Sequence, residues 1–403
     1  MRSTGGRHTY LTERIQLRPS LPISKLCHLA KNLYNLANYH IRQTFIFQGR
    51  WIRYGELYSL LKTTSAYRNL PLQTAQQVLR RLDQNWKAFF ITLKDWKIHP
   101  EKYLGRPRLP RYKPKNGETL IIFTNQQCNI KNGLLWFPKK AHLLPIKTRI
   151  RGSFRHVRII PKGNHYILEI VYEKNPIDLE LDSSRVISID LGLNNLVTVV
   201  NNAGLKPWRV KGGVIKSVNQ YYNKERARLI SIRDKQGLGF QTRRLQRLLL
   251  KRTNKIIDFF HKVSRQIISY CMVHGFGAIV VGYNPMWKQY IGLGKRINQN
   301  FVGIPFLTLV RQIKYKAKMV GIDLILVDES HTSKVSFLDE EPIKHQHSYI
   351  GKRIERGLFR SSKGHIINAD VNGGYNIGRK AVPEAFVVDG IEGVGLHPDS
   401  VMV

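Results

Sequence analysis

Three acidic side chains occupy positions where they could act together on a phosphate ester. Asp190 ends the apolar run 186–190, Glu329 follows the apolar run 322–328, and Asp370 lies where a helix is predicted to begin. Ligands of open α/β sheets bind beyond the carboxyl ends of the strands, so these residues are candidates for one site. Carboxylate oxygens bind Mg²⁺, which can orient an attacking water and neutralise a leaving oxygen. Asp190, Glu329 and Asp370 are therefore the candidate catalytic and magnesium-binding residues.

Each of these carboxylates also has a plainer interpretation. Asp190 precedes a turn that contains Gly192, and an Asp there commonly caps the turn. Asp370 in a first helical turn is favourable to the helix dipole without any ligand. Asp328 is an alternative to Glu329, because neighbouring side chains in a strand point to opposite faces; the longer reach of Glu329 favours it. A convergent acidic cluster in so basic a chain is electrostatically costly and would need a reason.

The elements that must position these carboxylates follow an α/β pattern. The runs 186–190, 277–281 and 322–328 predict buried strands, and 196–200 predicts the return strand of a hairpin. A helix is predicted over 305–320, and another begins near Asp370. Parallel neighbours among these strands would bring their carboxyl ends to one edge of the sheet.

The charge of the chain predicts a polyanionic partner. Its 403 residues include 66 Lys and Arg against 27 Asp and Glu, a formal charge of +39. The excess is 32 against 10 over residues 1–180 and 34 against 17 over 181–403, so both halves should contact polyanion. DNA or RNA is the first candidate, because each neutralised phosphate releases a counterion. A ribosomal-type basic protein is the alternative, although 42% hydrophobic residues can bury a substantial core.

No run of about 20 apolar residues and no signal-peptide pattern occurs, so we expect no membrane partner and a cytoplasmic, nucleoid-associated protein. The three cysteines, Cys27, Cys128 and Cys271, stand far apart and predict neither a disulfide framework nor a zinc ribbon.

The N-terminal half predicts helices followed by a small β-module. Amphipathic helices are predicted over 24–46, with Ser24 as the cap, and over 73–97. Residues 105–114 carry prolines every few positions and predict an extended basic connector. Further along, residues 216–265 hold 14 basic and three acidic residues and predict two helices broken near Gly237. This stretch is either a phosphate-contacting surface or a solvated helix face.

Six segments resemble, in order, the transposon-encoded TnpB (OrfB) family, the apparent ancestor of compact type V CRISPR effectors. They are Asp190-Leu-Gly-Leu-Asn-Asn-Leu, Gly282-Tyr-Asn-Pro-Met-Trp-Lys-Gln, Asn298-Gln-Asn-Phe-Val-Gly-Ile-Pro, Glu329-Ser-His-Thr-Ser-Lys, Arg356-Gly-Leu-Phe-Arg and Asn368-Ala-Asp-Val-Asn-Gly-Gly-Tyr-Asn-Ile. The resemblance covers most of residues 181–403 and is weaker over 1–180.

The resemblance implies an α/β RNase H-like (RuvC) nuclease domain and an α-helical recognition module inserted in a small β-barrel-like wedge module. The implied boundaries are 1–18 and 106–180 for the wedge, 19–105 for the recognition module, and 181–330 with 365–403 for the nuclease domain. Residues 216–268 would form bridge-type helices, and 331–364 an insert that binds target nucleic acid.

The resemblance also implies an RNA-guided endonuclease that cuts double-stranded DNA with a two-metal Mg²⁺ site. The implied partners are a guide RNA from the transposon end (an omega or CRISPR-like RNA) and target DNA with an adjacent motif; we expect a monomeric protein. Guide pairing would read sequence, while the protein holds the backbone and the motif. The expected nucleic-acid-binding residues are Arg226, Arg243, Arg244, Arg247, Lys251, Arg252, Lys288, Lys334 and Arg356.

Two features depart from the family pattern. The usual second-motif Glu is Gly282 here, and some branches place a replacement Glu at the position that matches Glu329. If Glu329 does not replace it, the chain is a nuclease-dead RNA-guided binder, a transcriptional repressor. Residues 331–369 contain no Cys, and His331, His345 and His347 are too few for a closed zinc site, so no structural zinc is expected.

Overall fold

Helices form where apolar residues recur every three or four positions, and the first long helix illustrates the rule. Leu26, Leu33 and Ile41 lie on one face of it and are buried, as are Ala30 and Ala37 between them. The computed structural model describes residues 9–284, 303–389 and 395–403. The described helices are α1 (Leu21–Gln48), α2 (Tyr54–Leu61), α3 (Ser65–Arg68), α4 (Leu72–Ile98), α5 (Gly213–Lys235), α6 (Arg243–His274), α7 (Phe306–Lys318) and α8 (Ala369–Ala381).

Strands alternate with these helices in two groups, and the chain divides between them at Lys174/Asn175. The first group is β1 (Thr9–Leu17), β2 (Ile121–Thr124), β3 (Asn129–Lys131), β4 (Leu134–Trp136), β5 (Ile146–Lys147), β6 (Phe154–Pro161) and β7 (Tyr166–Lys174). The second is β8 (Asp182–Leu191), β9 (Asn195–Asn201), β10 (Trp208–Lys211), β11 (Phe276–Gly282), β12 (Asp323–Val327), β13 (Lys352–Glu355), β14 (Leu358–Arg360), β15 (Ile366–Asn368) and β16 (Asp399–Ser400).

The N-terminal unit combines antiparallel sheets with helices α1 to α4. Its larger sheet has the order β1-β7-β6-β2, and its smaller one the order β3-β4-β5. One apolar core runs through the unit, with Trp86 of α4 fully buried in it. The helices begin slightly before the predicted bounds: Ser20, not Ser24, precedes α1, and the Ser24 hydroxyl donates to Glu118 instead.

The C-terminal unit is built on a six-stranded mixed sheet of order β12-β11-β8-β9-β10-β16. Strand β11 lies between β8 and β12 and is parallel to both, which confirms the predicted parallel neighbours. A second, three-stranded antiparallel sheet, β13-β14-β15, leads directly into α8. Sequence patterns did not predict β13 to β15.

Both faces of the central strands are covered. Because side chains alternate along a strand, successive residues pack into the cores on opposite faces of the sheet. Ile187, Ile189 and Ile279 pack into a core with α6 and α7. Val186 and Val280 face the other way, into a core with α8. Position 190 follows 186 and 188 in this alternation, and position 282 follows 278 and 280. The carboxyl ends of β8 and β11 therefore present residues 190 and 282 to the side on which α8 packs.

The finer division into wedge, recognition module, nuclease domain and insert stays a prediction. The contact boundary after Lys174 lies six residues before the predicted boundary at 180/181. Of the helices in the described ranges, none is long and apolar enough to cross a membrane.

Candidate active site

Asp190 and Asp370 come together at the carboxyl end of β8. Asp190 is presented by the strand toward α8, and Asp370 stands in the first turn of that helix. Asn368 caps α8, and its side-chain oxygen accepts the backbone N–H groups of Asp370 (3.1 Å) and Val371 (3.3 Å). Two acids 180 residues apart in the chain thus share one pocket, as the positions of strand end and helix start predict.

The electrostatics of this pair are unfavourable without a cation. Burial, and then the negative charge of Asp370, raise the pKa of Asp190 from 3.8 to about 7. Arg353 and the backbone N–H of Leu191 act in the opposite direction and only partly offset the rise. A partly buried carboxyl beside a second acid ionises readily only when a positive charge is supplied. The pair therefore fits a divalent cation.

The turn after β8 positions the second acid. Asn195 donates its side-chain N–H to the Asp370 carboxylate at 2.6 Å, so the amide fixes the orientation of that group. The neighbouring Asn194 side chain accepts from Lys216 in α5. Gly192 allows the turn to close, because a Cβ there would lie 2.7 Å from the carbonyl oxygen of Asn195. The sequence shows the Asn-Asn pair as a turn signal, but not that it holds Asp370.

Gly282 lies near Asp190, since these two residues directly follow Val281 and Ile189, the last paired residues of the parallel strands β11 and β8. A Cβ at Gly282 would stand 2.5 Å from Cδ1 of Ile377 and 3.4 Å from Cβ of Glu329. The side chain of Glu329 therefore leaves the backbone next to the position that a side chain on residue 282 would occupy. The end of β12 is held beside Gly282, because Tyr283 donates its backbone N–H to the carbonyl oxygen of Val327 at 2.9 Å.

Glu329 does not close a three-acid cluster in this structure. Strand β12 ends at Val327, so Asp328 and Glu329 both lie beyond it; Asp328 is exposed and Glu329 partly buried. Within residues 9–284, 303–389 and 395–403, no three His, Cys, Asp or Glu side chains are close enough to hold a metal ion. The assembled part of the predicted site is the Asp190–Asp370 pair, with Glu329 adjacent to the Gly282 position.

The glycines of α8 make room for this arrangement. A Cβ on Gly373 would lie 3.3 Å from an oxygen of Asp190, and one on Gly374 would lie 3.2 Å from Val200. The carbonyl of Gly374 accepts a hydrogen bond from Ser188 at 2.7 Å. The Gly-Gly step therefore lets the helix approach β8 closely enough for the two carboxyl groups to share a pocket.

Cationic side chains lie on the side of the acid pair that faces the β13–β14 hairpin and the start of α5. Arg353 is close enough to Asp190 to lower its pKa, and Arg356 similarly lowers the pKa of Lys216, although burial is the larger cause there. Both arginines belong to the β13–β14 hairpin, which pairs with β15 and is fixed to the start of α8 by a bond from the N–H of Ala369 to the carbonyl of Gly357 (2.9 Å). Sequence analysis proposed Arg356 but missed Arg353 and Lys216.

The other predicted nucleic-acid-binding residues fall into three groups. Exposed positions on α5 and α6 are occupied by Arg226, Arg243, Arg244, Arg247 and Lys251, and Lys334 is exposed in the insert. Arg252 is partly buried and joins α6 to its surroundings, donating to Asn219 (2.7 Å) and to the carbonyl of Gly303 (2.5 Å). Lys288 lies outside the described residues. These positions stay predictions as nucleic-acid contacts.

Polar contacts hold the insert against α8. Asn372 and Asn376 both donate to the carbonyl of Val335 at 2.9 Å, and Phe337 stacks on Tyr375 with ring centroids 4.8 Å apart. Buried Glu341 accepts the backbone N–H groups of Ser336 (2.7 Å) and Ile350 (2.9 Å). The rings of His331, His345 and His347 are neighbours, with centroids 5.9 and 6.1 Å apart.

Two family models match the C-terminal half of the chain. A model of probable transposases, OrfB_IS605, matches residues 169–287, and a Cas12f1-like TNB domain model matches residues 306–377. Asp190 lies in the first match, and Glu329 and Asp370 lie in the second. The chain is similar to the TnpB (OrfB) proteins.

Relatives of this TnpB-like chain include viral and bacterial proteins. TnpB-like protein ORF457 of Acidianus two-tailed virus is 24% identical over 423 residues, which cover 91% of this chain and 87% of that protein. The CRISPR-associated endodeoxyribonuclease Cas12f1 of Sulfoacidibacillus thermotolerans is 24% identical over 228 residues, covering 54% of this chain and 50% of the relative.

The fold of the TnpB-like chain is similar to solved RNA-guided nucleases. A Cas12f1–sgRNA–target DNA complex matches with a TM-score of 0.55 at 14% identity, covering 88% of this chain and 81% of that one. The mini-RNA-guided endonuclease CRISPR-Cas_phi3 matches with a TM-score of 0.52 at 10% identity, covering 93% and 92%. The fold is therefore similar to the folds of these two proteins.

Proposed function

We propose that the chain is an RNA-guided, Mg²⁺-dependent endonuclease of double-stranded DNA. The observation that carries the proposal is the Asp190–Asp370 pair, set at the end of β8 near Arg353 in a chain of charge +39. Two neighbouring carboxylates repel each other when both are ionised, and a phosphoester-cleaving centre gives both of them a use. The partners named for the similar structures, guide RNA and target DNA, match the basic surfaces of both units.

The acidic and the basic residues of the site would have different roles. Asp190 and Asp370 would hold Mg²⁺, with Glu329 as the third ligand after rotation of its side chain. When bound, Mg²⁺ supplies Lewis-acid activation of water and neutralises developing charge on the leaving oxygen. The amide of Asn195 keeps the Asp370 carboxylate oriented, at 2.6 Å. Arg353, Arg356 and Lys216 would bind the phosphates on either side of the scissile bond.

The deciding experiment is Mg²⁺-dependent cleavage of a guide-matched duplex by the protein co-expressed with its flanking RNA. Asp190→Ala, Asp370→Ala and Glu329→Ala are compared with Asp328→Ala, a matched control because Asp328 is the exposed acid next to Glu329. We expect the first three variants to bind the duplex without cutting it. The control should cut like the unmodified protein.

Each alternative outcome has a distinct meaning. If the unmodified protein binds the guided target but never cuts it, the nuclease-dead binder replaces the endonuclease. If Glu329→Ala cuts normally while Asp190→Ala does not, the site works with two acids and the relocated-glutamate assignment is wrong. If no RNA co-purifies and the protein binds duplexes regardless of their match to the guide, the RNA-guided part of the proposal is wrong. The nuclease assignment is then still tested by the Mg²⁺-dependent cleavage assay.

A further inference from the structure

The N-terminal unit contains a groove between α1, α4 and the proline-rich segment 105–114, which we call the strap. Two adjoining cavities form it, of about 630 Å³ and about 400 Å³, and both are lined by Phe89, Pro107, Arg108 and Arg111. These volumes lie in the range of small-molecule binding pockets. Neither family model reaches this part of the chain.

A ladder of hydrogen bonds from α1 fixes the backbone of the strap and the residues that follow it. Asn35 exchanges two bonds with the backbone of Lys113 (2.9 and 2.8 Å), and both Asn38 and Arg42 donate to the carbonyl of Pro110 at 3.0 Å. Lys31 donates to the carbonyl of Lys115 at 2.6 Å. These four residues recur at helical spacing on one face of α1. The strap is thus a rim whose backbone is anchored to α1 at Pro110 and Lys113.

The side chains of this rim carry unpaired positive charge. Arg106, Arg108 and Arg111 are exposed, and none of them forms an ion pair or a side-chain hydrogen bond with a described residue. No acidic residue is among the described residues that line either cavity. Arginines on an anchored backbone and without carboxylate partners match the oxygens of phosphate groups.

The floor of the groove is aromatic and apolar. Phe45 and Phe89 line the larger cavity, and Phe89 and Tyr34 line the smaller one. Phe89 is only partly buried, so its ring is partly open to the groove. A flat apolar surface below a row of arginines fits a base and its own phosphates, since bases stack on aromatic rings regardless of sequence.

We propose that this groove binds an unpaired nucleotide of a single-stranded nucleic acid segment, with the base on Phe89 and the phosphates on Arg108 and Arg111. A base inside a duplex is already stacked and cannot enter the groove, so the site selects single strands. The occupant is bound by the N-terminal unit, and binding does not depend on the carboxylates of the nuclease site.

Photo-crosslinking of the full-length, RNA-free protein tests the site. The probes are short DNA and RNA single strands carrying one 5-iodouracil, with a hairpin duplex of the same sequence for comparison, and the crosslinked peptides are identified by mass spectrometry. We expect crosslinks from the single strands, but not the duplex, to the peptide that contains Phe89. Asp190→Ala should leave them unchanged, which separates this proposal from the nuclease activity.

Paired variants measure the contributions of charge and stacking. Arg108→Ala/Arg111→Ala should weaken single-strand binding and lower the salt dependence of log K by about 1.4, at ~0.7 per phosphate contact. Arg18→Ala/Arg151→Ala removes the same charge from exposed positions that line neither cavity and should change the slope little. Phe89→Leu keeps an apolar side chain but no ring face, and should weaken binding about fivefold or more.

Three results would overturn the proposal: crosslinks confined to other peptides, equal effects of the two double-arginine variants, or a duplex that crosslinks as well as the single strand. Displacement of the probe by polyglutamate at equal charge concentration would assign the groove to an acidic peptide instead. If the RNA probe alone crosslinks, the occupant is RNA, and if the DNA probe alone does, it is DNA; either result supports an unpaired nucleotide.

Discussion

Replacing Asp190 with Asn should stabilise the metal-free protein while abolishing its response to Mg²⁺. Burial and the charge of Asp370 raise the pKa of Asp190 from 3.8 to about 7. The folded protein therefore binds more protons than the unfolded chain between these values, and the free energy of unfolding falls as the pH rises through this interval. At ~1.4 kcal/mol per pKa unit, the cost of the ionised carboxyl reaches about 4 kcal/mol above pH 7.

Asn keeps the shape of the side chain without its charge, so Asp190→Asn should recover part of this cost. Because Asp190 is partly accessible to solvent, about 4 kcal/mol is an upper limit, and we expect a gain of about 1–3 kcal/mol at about pH 8. For a unit of this size, this corresponds to a rise of about 2–4 °C in unfolding temperature per kcal/mol. At about pH 5 roughly a third of the gain should remain, because the unfolded chain is already ionised there, and below about pH 4 the gain should nearly disappear because Asp190 is protonated in both states.

Thermal unfolding in EDTA and in Mg²⁺ measures both effects. Mg²⁺ should raise the unfolding temperature of the unmodified protein, because a cation that binds only the folded state stabilises it, but should not raise that of the variant. Asp328→Asn, at an exposed neighbour of Glu329, is the control and should behave like the unmodified protein in both solutions. The reasoning is refuted if Asp190→Asn lowers the unfolding temperature in EDTA at about pH 8, or if Mg²⁺ stabilises both proteins equally.

Three further substitutions test the packing that assembles the site. Gly282→Ala should destabilise the protein by about 1–3 kcal/mol, because the new Cβ would stand 2.5 Å from Cδ1 of buried Ile377; denaturant unfolding measures this. Gly373→Ala should slow cleavage about tenfold or more, because the new Cβ would stand 3.3 Å from an oxygen of Asp190 and displace that carboxyl group. Gly213→Ala, with nothing within 4 Å of its Cβ, should not slow cleavage. Glu341→Ala should cost about 3 kcal/mol by leaving the N–H groups of Ser336 and Ile350 without their acceptor, whereas Glu340→Ala, at the exposed neighbour, should cost about 0.5 kcal/mol or less. Equal unfolding curves for the last pair would show that Glu341 does not hold the insert.

The elements of the nuclease half could be predicted because their signals are local. Strands β8, β11 and β12 are apolar runs, since both faces of the first two are buried, and the predicted bounds differ from the observed ones by a few residues. The meeting of Asp190 with Asp370 also follows from local rules, one for strand ends and one for helix starts. The approach of Gly373 to Asp190 was not predicted, because a glycine in a helix shows where the chain is permissive but not what approaches it.

The cations of the site could not be found in the same way. Strand β13 is exposed along its whole length and has no apolar alternation, so nothing in Lys352–Glu355 marks a strand, and Arg353 is one basic residue among many. The position of Arg353 next to Asp190 depends on the pairing of β14 with β15. That pairing is a contact between separate elements, so no single segment of the sequence indicates it. The same holds for the N-terminal groove: the prolines predict an extended strap, but only the ladder from Lys31 to Arg42 on α1 places it over Phe89. Charge composition alone predicts that the protein binds phosphate groups. Tertiary contacts then determine which of the 66 basic residues lie on an anchored backbone and have no acidic partner.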